Sequence, residues 1–195
     1  MMGTFHRLSG CLAIGIMGCL GMWELAQGGW IHLKASLAQH LLQQAWAQTI
    51  ARQTPIKPWP WADTFPIARL LVSRHQIDEI VLAGANGRTL AFGPAHHEDS
   101  AKPGMTGVSI ITGHRDTHFR FLHRLEPGDR IDVETVHGAL VSYRVLASSV
   151  VDGRLPLQVS GGDENVLLLV TCYPFDALVP GGPLRYIVMA VASER

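Results

Sequence analysis

Residues 166–175 read Val166-Leu167-Leu168-Leu169-Val170-Thr171-Cys172-Tyr173-Pro174-Phe175. An unbroken aliphatic run of this kind describes a strand with both faces covered. Pro174 cannot continue a ladder, so the strand ends as it delivers Cys172. The fold is therefore built on a buried strand with a thiol at its C-terminal end.

Two neighbouring stretches share this character. Downstream, Pro180-Gly181-Gly182-Pro183 is a turn that feeds Leu184–Ala192, a strand carrying Arg185 near its start. If the two strands pair through the Tyr173–Pro183 loop, thiol and guanidinium meet at one rim. Upstream, Ile110-Ile111-Thr112-Gly113-His114-Arg115-Asp116-Thr117-His118-Phe119 is a strand that stops at Gly113 and opens a loop with His114. His114 must come from a strand end facing the same rim.

Other short β-branched and aliphatic runs are Ile67–Arg74, Ile77–Ala83, Val108–Thr112, Arg130–Thr135 and Leu140–Ser148. Turns separate them at Ala85-Asn86-Gly87, Glu126-Pro127-Gly128-Asp129, Val136-His137-Gly138 and Ser160-Gly161-Gly162-Asp163. Many short strands and no long helix among them predict an all-β barrel or sandwich.

Ahead of this region lie 1–27, an expected membrane anchor, and 28–66, an expected helix and strap. Leu8–Trp23 contains no charged residue, and His6 and Arg7 precede it, which predicts N-in, C-out insertion. Met22, Trp23, Glu24 and Leu25 make a poor cleavage site. Neither Cys11 nor Cys19 has the flanks of a lipidation signal, so an uncleaved single-pass anchor is expected. Leu33, Leu37, Leu41 and Ala45 recur at helical spacing as the seam of an amphipathic helix, with Ala38, Leu42 and Trp46 beside it. The segment from Thr54 to Pro66 is extended by its prolines, and Trp59 and Trp61 are expected to dock it. The remaining stretch, 67–195, is the expected catalytic domain.

Zero formal net charge and no basic stripe exclude nucleic acid as a natural partner. Cys11 and Cys19 fall in the apolar N-terminus, leaving Cys172 alone in the folded region. By count alone, such a thiol is a small buried hydrophobe. Its company argues otherwise. Attack on a peptide carbonyl needs a thiolate tuned by positive charge, a histidine to protonate the leaving amine, and a fixed donor for the oxyanion. Cys172, His114 and Arg185 supply these types.

Together these stretches resemble the sortase family. Leu168-Leu169-Val170-Thr171-Cys172 is similar to the family's T-L-x-T-C signature, departing at Leu168. Gly113-His114 matches its Gly-His pair and Arg185 its strand-borne arginine. GHRDTHF (113–119), TCYPF (171–175) and PWPWADTFPIARL (58–70) resemble sortases of Gram-negative bacteria. The resemblance covers Trp59 to Val191. It implies a closed eight-stranded β-barrel with short helices and a cysteine transpeptidase without a cofactor. Cys172, His114 and Arg185 would be catalytic, and Thr171, Gly113 and Asp116 would contact substrate, with Thr171 orienting Arg185 or holding the peptide. A protein with an LPXTG-like C-terminal sorting signal would be cleaved through a thioester and passed to an amine, whose identity is open. The domain would face the periplasm from the inner membrane. Some members use calcium, but Glu98-Asp99 and Asp163-Glu164 are too few to make such a site.

Three rival readings stand beside this one. A metal hydrolase could draw on His96, His97, His114, Asp116 and His118, but the glutamate of HExxH is missing. An L,D-transpeptidase would carry Ser-x-Gly before its cysteine, where this chain has Thr171. A non-catalytic β-domain that binds a peptide or wall component would have an unreactive Cys172.

Overall fold

The computed structural model describes residues 2–155, 164–177, 179 and 181–193, and for 2–15 and 32 the backbone alone. The chain divides into two units, Met1–His40 and Leu41–Arg195.

The first unit is the beginning of helix α1 (Met2–Arg52). The helix runs through residue 27 without a break. Ile16, Met17, Leu20, Met22, Trp23 and Leu25 are all exposed, and the Lys34 ammonium lies over the Trp30 ring at 5.0 Å. Among the described residues, no helix is long and apolar enough to cross a membrane. The expected spanning anchor thus has no support from the described helix. Half of its apolar run, 8–15, falls where only the backbone is described.

The second unit opens with the last turns of α1. Leu42, Ala45, Trp46 and Thr49 are buried, a stripe at helical spacing. Trp46 Nε1 donates to Glu134 Oε2 at 3.1 Å. The docking stripe is displaced from the expected seam: Leu33 and Leu37 are exposed. Gln53, at φ 54°, marks the end of the helix. In the strap, Trp59 packs edge-on against Phe92 with centroids 5.0 Å apart, and Thr64 Oγ1 donates to Ala83 O at 2.7 Å. Trp61 does not dock as expected; it is 80% exposed, and the small Ala62 beside it is buried instead.

Eight strands follow: β1 (Pro66–Val72), β2 (Ile77–Ala83), β3 (Ala95–His96), β4 (Gly107–Thr112), β5 (Arg130–Thr135), β6 (Leu140–Asp152), β7 (Asn165–Cys172) and β8 (Leu184–Ala192). They close in the order β1-β2-β3-β4-β7-β8-β6-β5, so the architecture is the barrel rather than the sandwich. The expected first strand ends two residues earlier, at Val72, because Ser73–His75 turns as a 3₁₀ helix closed by Gln76 in the left-handed region. β6 runs on to Asp152, past the expected Ser148, with a register shift between Val145 and Ala147. The Ser160–Asp163 turn lies outside the described residues.

Two pairings position the site. β4 and β7 are parallel, with Thr112 beside Val170, so their C-terminal ends share one rim. β7 and β8 are antiparallel, which brings the start of β8 to that same rim. Side chains alternate across the barrel wall. Leu167, Leu169, Val188 and Ala190 face the main core with Ile111, Phe119, Ile131 and Tyr143. Val166, Leu168 and Ile187 form a second apolar cluster with Val108, Ile110, Val151, Val170 and Met189 on the outer face.

Candidate active site

Cys172 is the last residue of β7 and Arg185 the second of β8, and they are register partners. Tyr173 N donates to Leu184 O at 3.1 Å. That bond flanks the 172–185 pair, making it one of the narrow pairs of the ladder, whose Cα atoms sit about 4.5 Å apart. The two side chains leave the sheet on the same side. By alternation this is the outer face, continuous with the apolar cluster around Leu168 and Ile187.

Gly113 follows β4 and is held against β7. Its N–H donates to Val170 O at 3.1 Å, and its carbonyl accepts from Thr171 Oγ1 at 2.7 Å. Continuing the parallel register by two residues sets His114 beside Cys172. The fold therefore brings all three expected catalytic residues to neighbouring strand ends on one rim. His114 is exposed and Cys172 partly exposed. Among the described residues, no hydrogen bond joins the His114 ring to Cys172. Such bonds are often loose until substrate binds.

Arg185 is held from behind. A Cβ on Gly153 would lie 2.9 Å from Arg185 Cγ, so the glycine makes room for the arginine stem. Nη1 donates to Gly182 O at 2.7 Å and Leu184 O at 2.9 Å. Nε and Nη2 have no hydrogen-bond partner among the described residues, which leaves a fork edge free for an oxyanion.

The three residues expected to contact substrate differ in exposure. Thr171 is 1% exposed, faces the barrel interior, and gives its hydroxyl proton to Gly113 O rather than to any atom of Arg185. Gly113 is buried, and a Cβ there would sit 2.7 Å from the Phe119 ring; it is needed for close packing. Asp116 is exposed and accepts from Arg115 Nε at 3.2 Å.

Arg115 escaped the sequence analysis. An arginine between His114 and Asp116 reads as a solvated loop residue, yet it is buried. Nη1 donates to Pro174 O at 2.5 Å and Nη2 to Ala177 O at 2.6 Å. It ties the loop after His114 to the loop after Cys172. Aromatic packing adds to the tie. Phe175 meets Tyr186 at 5.2 Å and His123 at 5.2 Å, and Tyr173 stacks on Tyr186 at 6.3 Å.

The histidines of the rival metal site are dispersed. His96 Nε2 donates to Ala101 O, His97 pairs with Thr112 Oγ1, and His118 Nδ1 pairs with Glu79 Oε2. Among the described residues, no group of three His, Cys, Asp or Glu side chains could hold a metal ion.

A family model described as "Sortase domain" matches residues 70–193. Sortase D of Bacillus subtilis is 33% identical over 112 residues, covering 55% of this chain and 54% of the relative. The chain thus spans about half the length of the curated relative it matches. Among solved structures, Sortase A from Corynebacterium diphtheriae aligns with a TM-score of 0.61 at 24% identity, over 69% of this chain and 64% of that one. A Sortase D5 transpeptidase of Clostridium perfringens aligns at 0.65 and 21% identity, over 82% and 99%. At these identities the two structures speak for the fold, and they agree with the closed barrel.

Proposed function

This chain belongs to the sortase family, and we propose that it is a cysteine transpeptidase acting on proteins with an LPXTG-like C-terminal sorting signal. The observation that carries this function is the row formed by His114, Cys172 and Arg185 on adjacent strand ends, beside an apolar outer face. That face suits the leucine and proline of such a signal.

The chemistry follows from the groups in the row. The Cys172 thiolate attacks the scissile carbonyl, and a C–S bond forms while negative charge develops on oxygen. The free edge of the Arg185 guanidinium donates to that oxygen. The C–N bond breaks, and His114 gives its proton to the departing amine. An acceptor amine then attacks the thioester, loses its proton to His114, and releases the thiolate as the new C–N bond forms.

The N-terminal helix is proposed to attach the protein to a bacterial inner membrane, with the barrel in the periplasm, as the resemblance of 113–119 and 171–175 to sortases of Gram-negative bacteria implies. Support comes from the uncharged run Leu8–Trp23 and the exposed apolar side chains from Ile16 to Leu25. Fractionation should recover the full chain with membranes and a chain lacking 1–27 in the soluble fraction. Equal solubility of the two would overturn the attachment.

Activity is tested by incubating the protein with a sorting-signal peptide and a small amine. Mass spectrometry should reveal a thioester on Cys172 and a peptide–amine product, both absent from Cys172→Ala. No thioester and no product under conditions where the thiol is reactive would sink the transpeptidase function, and an unreactive thiol would favour a peptide-binding β-domain.

A further inference from the structure

A cleft opens beside the loop that follows His114. It measures about 510 Å³ and is lined by Ile77 and Glu79 of β2 and by Thr117, His118, Arg120, Phe121, His123 and Arg124. The cleft adjoins both arms of the active site. Its Thr117–His118 wall belongs to the turn closed by Phe119 N donating to His114 O at 2.9 Å. His123 packs on Phe175, three residues beyond Cys172.

The lining is cationic. Arg120 and Arg124 are exposed and have no ion pair among the described residues. Glu79 is the one carboxylate in the lining, and His118 Nδ1 occupies it at 2.9 Å. Two guanidinium groups therefore face the cleft against a single carboxylate, which is already hydrogen-bonded to His118. The histidines add a second kind of group. His123 Nδ1 is bonded to Arg120 O, and a carbonyl only accepts, so that nitrogen carries the proton. The neutral ring then presents Nε2 as an acceptor. His118 Nδ1 likewise donates to Glu79 Oε2, so when that ring is neutral its Nε2 is the acceptor. Donors for an anion and acceptors for an ammonium thus share one cleft.

We infer that this cleft binds the amine acceptor, and that the acceptor is an amine bearing an acidic group, a carboxylate or a phosphate, held by Arg120 and Arg124. The inference rests on the transpeptidase function proposed above. It splits the site about His114, with the acyl donor on the outer face of β7 and β8 and the acceptor over the cleft. His114 stands between them, where it can serve the leaving amine first and the incoming amine second.

The test uses matched acceptors on the full chain. Ethanolamine is set against O-phosphoethanolamine, and β-alaninamide against β-alanine. In at least one pair the anionic member should have a kcat/KM about tenfold higher, the size expected of one solvated charge-assisted contact. The pair showing the larger ratio identifies phosphate or carboxylate as the native group. In the Arg120→Ala/Arg124→Ala double variant that ratio should fall toward one. Equal use of both members of both pairs by the wild type would overturn the inference. A second readout is independent of turnover. Inorganic phosphate is titrated into the full chain while the imidazole resonances of His118 and His123 are followed by NMR. Saturable shifts that vanish in the folded double variant support the anion site, and their absence in the wild type overturns it. Saturable shifts in a protein that forms no thioester would sink the transpeptidase function and leave the anion site standing.

Discussion

Cys172 and Arg185 face each other directly in a narrow pair at the end of the β7–β8 ladder. The guanidinium is therefore fixed relative to the thiol by backbone pairing rather than by a flexible loop. Its stem is wedged over Gly153, and Nη1 is bound to Gly182 O and Leu184 O. Preorganised charge of this kind costs little reorganisation when an oxyanion forms.

Arg185→Lys is expected to lower kcat by about 10²-fold or more, the usual loss for one oxyanion donor. A lysine keeps the charge but lacks the second donor edge. Alkylation of Cys172 by iodoacetamide should persist, since the thiol stays in place. Wild-type turnover in the lysine variant would remove Arg185 from the reaction.

Arg115→Ala should lower kcat more than it raises KM for the peptide. The substitution frees the Pro174 and Ala177 carbonyls and lets the two active-site loops drift apart. Stability should fall by about 1.5–3 kcal/mol, the range for hydrogen bonds to a charged group. Arg115→Lys can satisfy fewer of these acceptors and should recover part of kcat. A purely structural role would lower the melting temperature of Arg115→Ala and leave the kcat of the folded fraction intact.

Thr171→Val keeps the shape of the side chain and removes the bond to Gly113 O. The buried carbonyl loses its threonine partner, at a cost of about 1–3 kcal/mol. Chemical denaturation should report that loss. Activity should fall as well, because the same bond fixes the residue before His114. An unchanged pH–rate profile and unchanged kcat would show that Gly113 is held well enough by its N–H bond to Val170 O.

The strands were legible wherever a buried run exceeded about five residues, and the rim followed from their order. β3 was not: a two-residue strand is too short to show a period. Its pairing is set by closure of the barrel between β2 and β4. Cys172, His114 and Arg185 were found by residue type and position at strand ends. Thr171 adjoins Cys172 in sequence, but alternation turns its side chain to the interior, where its hydroxyl meets Gly113 O, a partner that residue order does not show. Arg115 was missed because its acceptors are backbone carbonyls about sixty residues away, and carbonyls leave no trace in a sequence. Trp61 was expected to be buried by residue type, and nothing local distinguishes it from the docked Trp59.

Gly113→Ala should be among the most damaging single-methyl changes in the chain. The added carbon would meet three carbons of the Phe119 ring at 2.7–3.0 Å. Phe119 is fully buried against the main core and cannot retreat. Overpacking of this kind costs about 1–3 kcal/mol. Adding Phe119→Leu removes the ring and should recover stability relative to Gly113→Ala alone. Failure of this rescue in urea denaturation would show that the glycine is required for backbone reasons instead.

His96 should make the protein less stable in mild acid. Burial pushes its imidazole below the ordinary value of 6.5, helped by His97 and Lys102 and opposed by the bond to Ala101 O and by Glu98. The unfolded chain therefore takes up this proton before the folded chain does. Stability falls as pH drops below about 6.5 and continues to fall until the folded-state value is reached. Above that window the neutral ring donates to Ala101 O at 2.8 Å and meets Ser100 Oγ at 3.0 Å. His96→Gln keeps a donor and removes the titration. It should be less stable than wild type at pH 7.5, and the gap should narrow at pH 5. Urea denaturation of both proteins at the two pH values checks this, since other titrating groups are common to the pair. A gap that is constant or wider at pH 5 would show that His96 takes up its proton as readily folded as unfolded.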